Sequence, residues 1–142
     1  MFLRVKKSHP DAVIPSFTYA GDAGADLTIV EHVILGPGEA ADLATGLSIE
    51  LPPGYWARIT GRSSTMRRRG LLVNEGIIDN GYRGELYVYV RNLNGHEAII
   101  EPGDRLAQLI MHRLERPEII EVKALAESDR GAKGFGSSGL KS

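Results

Sequence analysis

The 142-residue chain has no cysteine. That absence excludes disulfides, thiolate catalysis and any zinc site built on sulfur ligands. An excess of one charge is also missing: the formal net charge is -1 and no long block carries one sign. A protein that holds a nucleic-acid polymer by counterion release normally shows a basic face. Here Arg67-Arg68-Arg69 is the only basic cluster, and it reads as a solvated helix surface. No polymer partner is therefore expected. No apolar run approaches the ~20 residues that a membrane-spanning helix needs. The opening MFLRVKKSHP is too short and too charged for a signal peptide. The expectation is a soluble cytoplasmic protein. With 42% apolar residues, the chain should fold as one small globular domain.

Turn signals recur at intervals of about ten residues, the spacing of a sandwich or barrel. Between them lie short apolar or alternating runs: Phe2 to Lys7, Leu27 to Ile29, Val33 to Leu35, Leu47 to Leu51 and Tyr55 to Thr60. Further along come Leu71 to Val73, Ala98 to Ile100, Leu106 to Leu114 and a last candidate at Ile119 to Val122. Glu85 to Arg91 alternates strictly, with Leu86, Val88 and Val90 on one face. One helix is expected over Thr65 to Arg69, capped by Ser63 or Ser64 and stopped by Gly70. Residues 1–127 form the body. Residues 128–142 read as a flexible arm rich in Gly and Ser.

Four stretches have the residue types that phosphate chemistry uses. Asn74 to Glu85, NEGIIDNGYRGE, places Asp79 between an apolar pair and the turn residues Asn80-Gly81. Asn-Gly between apolar runs predicts a hairpin, whose tip would open beside that carboxylate. Gly61-Arg62-Ser63-Ser64 sits where the short helix begins, offering a guanidinium and two hydroxyls to an anion. Gln108 interrupts the apolar run Leu106 to Ile110, and a polar residue there needs partners. In the arm, Arg130 and Lys133 precede Phe135, and Ser137 and Ser138 follow it. Glycine-freed amides can wrap phosphates, and an aromatic ring can stack on a base. Asp22 and Asp26 could hold Mg²⁺ through water, although both are also common turn residues. The combination points to a nucleoside polyphosphate.

In this order the stretches AGDAGADL (20–27), GRSST (61–65), NEGIIDNGYRGEL (74–86), GDRLAQLI (103–110) and RGAKGFGSSG (130–139) resemble the five motifs of the homotrimeric dUTPase family. The resemblance implies an all-β, jelly-roll-like distorted β-barrel with one short helix. It also implies a homotrimer with active sites at the subunit interfaces, and Mg²⁺-assisted hydrolysis of dUTP to dUMP and pyrophosphate. Carried over, Asp79 orients and deprotonates the attacking water, and Tyr82 packs under the deoxyribose. Asn74, Gly76 and Ile78 belong to the segment that reads uracil, largely through backbone groups. Arg62, Ser63, Ser64 and Gln108 hold phosphates, while Asp26 organises the metal or the second-motif serine. Arg130, Phe135, Gly136, Ser137 and Ser138 close over base and γ-phosphate. Ser64 stands where the commoner second motif has Gly, which implies a side-chain contact.

Two other functions compete. A dCTP deaminase has a similar fold and motifs, but its pattern carries a glutamate on the strand leaving the turn. Leu86-Tyr87-Val88-Tyr89-Val90 has no acid. A regulatory, protein-binding module could use Tyr87, Tyr89 or Arg67 to Arg69 as contacts, but would not need Asp79 and Phe135 in register.

Overall fold

The structure is a computed structural model that describes residues 1–136 and Gly139. Its strands are β1 (Arg4–Lys7), β2 (Ala25–Thr28), β3 (Val33–Leu35), β4 (Ala40–Glu50), β5 (Tyr55–Gly61), β6 (Leu71–Val73), β7 (Gly76–Ile78), β8 (Glu85–Asn92), β9 (Ala98–Ile100) and β10 (Arg105–Arg113), with one helix, α1 (Ser63–Arg69), between β5 and β6. All pairings are antiparallel. One four-stranded sheet runs β1-β4-β8-β6, a second runs β2-β10-β5-β7, and β3-β9 forms a two-stranded ribbon. The all-β expectation holds, but the sheets remain separate and do not close into a cylinder.

Alternation explains the layering. Leu86, Val88 and Val90 of β8 point inward and are fully buried, while Tyr87, Tyr89 and Arg91 face out. They meet Leu43, Leu47 and Ile49 of β4, Leu27 of β2, Ile59 of β5 and Leu109 of β10 in one continuous core. Asn92 ends β8 inside that core with no exposed surface. Its amide donates to the carbonyls of Leu35, Gly36 and His96. Its oxygen accepts from the Asn94 backbone and side chain. Every lone pair and proton of that buried amide is therefore used, as burial demands.

The structure corrects four expectations. Asn80-Gly81 does not close a hairpin: β7 pairs with β5, whereas β8 pairs with β4 and β6. The segment is a turn that carries the chain from one sheet to the other. Tyr82 N–H donates to Asp79 C=O, and Gly81 at φ 100° takes the third turn position, where a type II turn needs positive φ. The Asn80 side chain holds the turn by donating to Pro52 C=O and Tyr55 C=O. At α1, Arg62 is the N-cap residue and makes no side-chain cap, and both serines lie inside the helix. Gly70 does end α1, in the left-handed conformation at φ 62°. Ile119 to Val122 forms no strand, and no helix or strand follows Arg113 among the described residues. Ile119, Ile120, Val122 and Leu125 are exposed there, so the chain gives that run no sheet edge. Finally, β4 begins seven residues before Leu47, because Ala40 to Ala44 pair with β8 despite weak strand composition.

Candidate functional site

A group of charged and hydrogen-bonding side chains lies at one end of the β2-β10-β5 face. Asp26 of β2 and Gln108 of β10 are cross-strand partners, and Gln108 also faces Thr60 of β5. The strand pattern points these side chains outward, opposite to the core residues Leu27 and Leu109. Arg62 follows directly from β5. Its Nε lies 3.0 Å from Asp26 Oδ1, and its Nη1 donates to the Arg105 carbonyl at 2.9 Å. Arg105 Nη1 sits 3.2 Å from Asp26 Oδ2. One carboxylate, 12% exposed, therefore holds two guanidiniums by separate oxygens. Gln108 Nε2 donates to Gly61 C=O. A side chain at Gly24 would overlap Gln108, so the glycine is what lets the amide lie flat against β2. These groups, with Ser63 and Asp22, line a cleft of about 500 Å³.

The start of α1 is fastened to β10 rather than capped. Arg62 N–H and the Thr65 hydroxyl both donate to Leu106 C=O, and Thr65 is buried. Ser63 opens into the cleft, while Ser64 lies half-buried in α1 and outside the cleft lining.

The Asp79 group is elsewhere. Gly76 and Ile78 are half-buried on β7, the far edge of the same sheet, and Asn74 is exposed just before it. Ile78 faces Ala57, so Asp79 lies beside Trp56, while Gln108 faces Thr60. Four residues along β5 and two strands across separate the backbones of Asp79 and Gln108 by about 17 Å. Asp79 is exposed beside its turn. The Tyr82 hydroxyl donates to Glu85 C=O, and its ring folds over Gly84, where a Cβ would collide with it. One chain thus presents a carboxylate-and-tyrosine half and a guanidinium-and-amide half on separate parts of its surface.

In the arm, Arg130 Nε donates to Lys133 C=O, and Gly131 N–H donates to the Ser128 hydroxyl. Phe135 is fully exposed at φ 48°, with Gly136 next to it at φ 95°. Ser137 and Ser138 lie outside the described residues.

The donor set bears on a metal. Among the described residues no group of three or more His, Asp or Glu could cage an ion. Both Asp26 oxygens are paired with arginines, and Asp22 Oδ2 accepts the Tyr19 backbone N–H. Such a set fits Mg²⁺ carried in on substrate phosphates with its water shell, the ordinary habit of this ion. It does not fit a resident all-protein site.

Sequence reasoning missed Arg105. No clear signal marked it: Leu106 to Met111 is apolar except at Gln108, so the bulge beside that arginine shows only in the strand register.

Comparison with known proteins follows the same lines. A family model described as dUTPase matches residues 11–139. A deoxyuridine 5'-triphosphate nucleotidohydrolase of Thermobifida fusca is 44% identical over 140 residues, covering 96% of this chain and 78% of the relative. One from Solibacter usitatus is 43% identical over 143 residues, covering 98% and 97%. Among solved structures, a mutant dUTPase of Staphylococcus bacteriophage 80alpha with dUpNHpp superposes with TM-score 0.93 at 30% identity, covering 98% of this chain and 99% of that one. An aspartate-to-asparagine mutant of the dUTPase from phage phi11 of S. aureus, described as coordinating a structural Mg(II) ion, gives TM-score 0.85 at 26% identity over 89% of this chain and all of the other.

Proposed function

The chain belongs to the dUTPase family, and from that premise we propose how its own residues hydrolyse dUTP to dUMP and pyrophosphate. The observation that carries the reading is the Asp26-centred cleft, where Arg62, Ser63 and Gln108 converge as donors for a polyphosphate. Arg matches phosphate oxygens in a bidentate way, and a hydroxyl and an amide add directed donors. Ser64 completes the set from the first turn of α1. Asn74, Gly76, Ile78 and the turn after them form the uracil side, and Tyr82 supports the sugar. A tight slot there rejects thymine by its methyl group and cytosine by unpaired buried donors.

Asp79 is the general base: it holds one water in line with the α-phosphorus and takes its proton as the phosphorus–oxygen bond forms. The pyrophosphate leaves toward the arginines, whose charges are present before the reaction and need no reorganisation. Arg130, Phe135 and Gly136, with Ser137 and Ser138, belong to an arm (residues 128–142) that closes on the body (1–127) and excludes water. Asp26 would help hold a Mg²⁺ ion brought in by the substrate, and the ion would supply further neutralisation of the phosphate charge.

The two halves lie about 17 Å apart in one chain, which supports a homotrimer whose sites form between subunits. A cytoplasmic location is part of the same proposal. No helix among the described residues is long and apolar enough to cross a membrane.

Asp79→Asn tests the assignment. The variant keeps its fold and its affinity for dUTP and loses turnover by about a hundredfold or more, the usual share of a general base. Pyrophosphate release at the wild-type rate would remove Asp79 from the mechanism.

A further inference from the structure

We propose that Arg105 is a second phosphate-binding guanidinium of the Asp26 cleft, brought to that face by a β-bulge and held there by Asp26. The inference rests on the reading of the cleft as a polyphosphate site and adds a residue to it.

The geometry begins with strand register. On β10, Arg105 faces Thr28 and Ala107 faces Leu27, so two steps on one strand meet one step on the other. The extra residue is a bulge, a device that re-aims side chains at the edges of sites. Its effect is visible in burial: Leu106 and Ala107 both point inward, at 1% and 0% exposure. In regular alternation Leu106, not Arg105, would share the outward face with Gln108. The bulge moves Arg105 onto that face, beside Asp26 and at the mouth of the cleft.

The charge pattern indicates what the arginine does there. Arg62 already neutralises Asp26 through a 3.0 Å pair. A second arginine on the same carboxylate is not needed to stabilise Asp26, and an ion pair as exposed as that of Arg105 adds little to folding. With Asp22 also lining the cleft, two acids face two arginines. Without Arg105 the cleft would be net negative and would repel a polyphosphate. With it, two planar guanidiniums are pre-oriented by the two oxygens of one carboxylate, each keeping donors free for phosphate. The same bulge ties the parts together, because Arg105 C=O accepts from Arg62 Nη1 and Leu106 C=O accepts from Thr65 at the start of α1. Both arginines are thereby indexed to one backbone feature.

The test compares Arg105→Ala, Arg62→Ala and wild type by calorimetric titration with dUpNHpp and, separately, with deoxyuridine, which has no phosphate. Arg105→Ala is expected to weaken dUpNHpp at least tenfold, leave deoxyuridine within twofold and raise KM for dUTP more than it lowers kcat. Arg105→Lys keeps the charge without the fork and should fall between. If Arg105→Ala does not fold, Arg105→Gln is read on the same scale. Unchanged dUpNHpp affinity in Arg105→Ala, with a loss in Arg62→Ala, overturns this inference and leaves the cleft assignment standing. Unchanged affinity in both variants removes the cleft assignment and the inference with it. An equal loss of deoxyuridine affinity makes Arg105 a structural residue and also overturns the proposal.

Discussion

Asp26 shows how a single side chain acquires its role from its partners. By type it is a candidate metal ligand, but in the fold it is a nearly buried anion between Arg62 and Arg105. Replacing it with Asn preserves shape and removes the charge that orients both guanidiniums. The expected result is a fall in kcat of about tenfold with KM unchanged or lower, since the cleft gains positive charge as its arginines lose alignment. A rise in KM without loss of kcat, from initial rates over a range of dUTP, would contradict that account. Gly24→Ala acts on the neighbouring amide: the new methyl meets Gln108 Cβ at 2.9 Å, so Gln108 must move and KM should rise. Tyr87 is a case outside the site. The negative charge of Glu85 beside it raises its pKa above 10.0, because the phenolate would face a carboxylate. The sign follows: a folded-state value above the unfolded one gives stability that is present below about pH 10 and is lost as pH rises through the folded value. In an ultraviolet titration one phenol should ionise late, and Glu85→Gln should bring it back toward 10.0. An unaltered titration curve would dissociate Glu85 from that tyrosine.

Among the elements, the strands with strict alternation were legible and the irregular features were not. Glu85 to Arg91 predicted β8 to within a residue, because its buried and exposed residues differ cleanly in polarity. The first half of β4 was obscured because Ala40, Ala41, Asp42 and Ala44 are poor strand formers held by pairing with β8. The Asn80-Gly81 signal identified a turn correctly but not what it joins. Turn chemistry is local, whereas the choice between a hairpin and a change of sheet depends on which neighbours β7 and β8 find. Of the side chains lining the Asp26 cleft, Arg62, Ser63 and Gln108 stood out in the sequence, since they sit in short polar interruptions. Arg105 was hidden by the bulge, which breaks the period-two rule on which face assignments depend. Element ends also carry testable stability. Asn92 closes β8, β3 and the 92–96 turn through one fully buried amide. Asn92→Ala strands several carbonyls and an N–H and should destabilise the fold by about 3 kcal/mol, read from chemical denaturation. A loss below about 0.5 kcal/mol, the usual range for surface changes, would mean that water replaces those bonds.

At the scale of the whole molecule, the proposed reaction needs the Asp79 turn and the Asp26 cleft to meet one substrate, although they lie on separate parts of one chain's surface. The arm is one candidate link, and truncation after Glu127 should leave the body folded while turnover falls steeply. The larger gap is between Asp79 and the Arg62 cleft, about 17 Å within a chain. A symmetric assembly closes such a gap by placing one subunit's carboxylate against its neighbour's arginines, with every subunit giving and receiving once. Mixing distinguishes this from a site completed within one chain. Asp79→Asn and Arg62→Ala subunits are each expected to be nearly inactive alone. Unfolded together in equal amounts and refolded, they would form the proposed trimers in random composition. A site between subunits is intact when its Asp79 comes from the Arg62→Ala chain and its Arg62 from the Asp79→Asn chain. Each choice has even odds, so about a quarter of wild-type activity should return under random assembly around a cyclic axis. Sites confined to single chains would each carry one lesion, and activity would stay at the level of the separate variants. Recovery therefore reports on the geometry of the assembly, and its absence in verified mixed trimers would place Asp79 and Arg62 of one subunit in the same site.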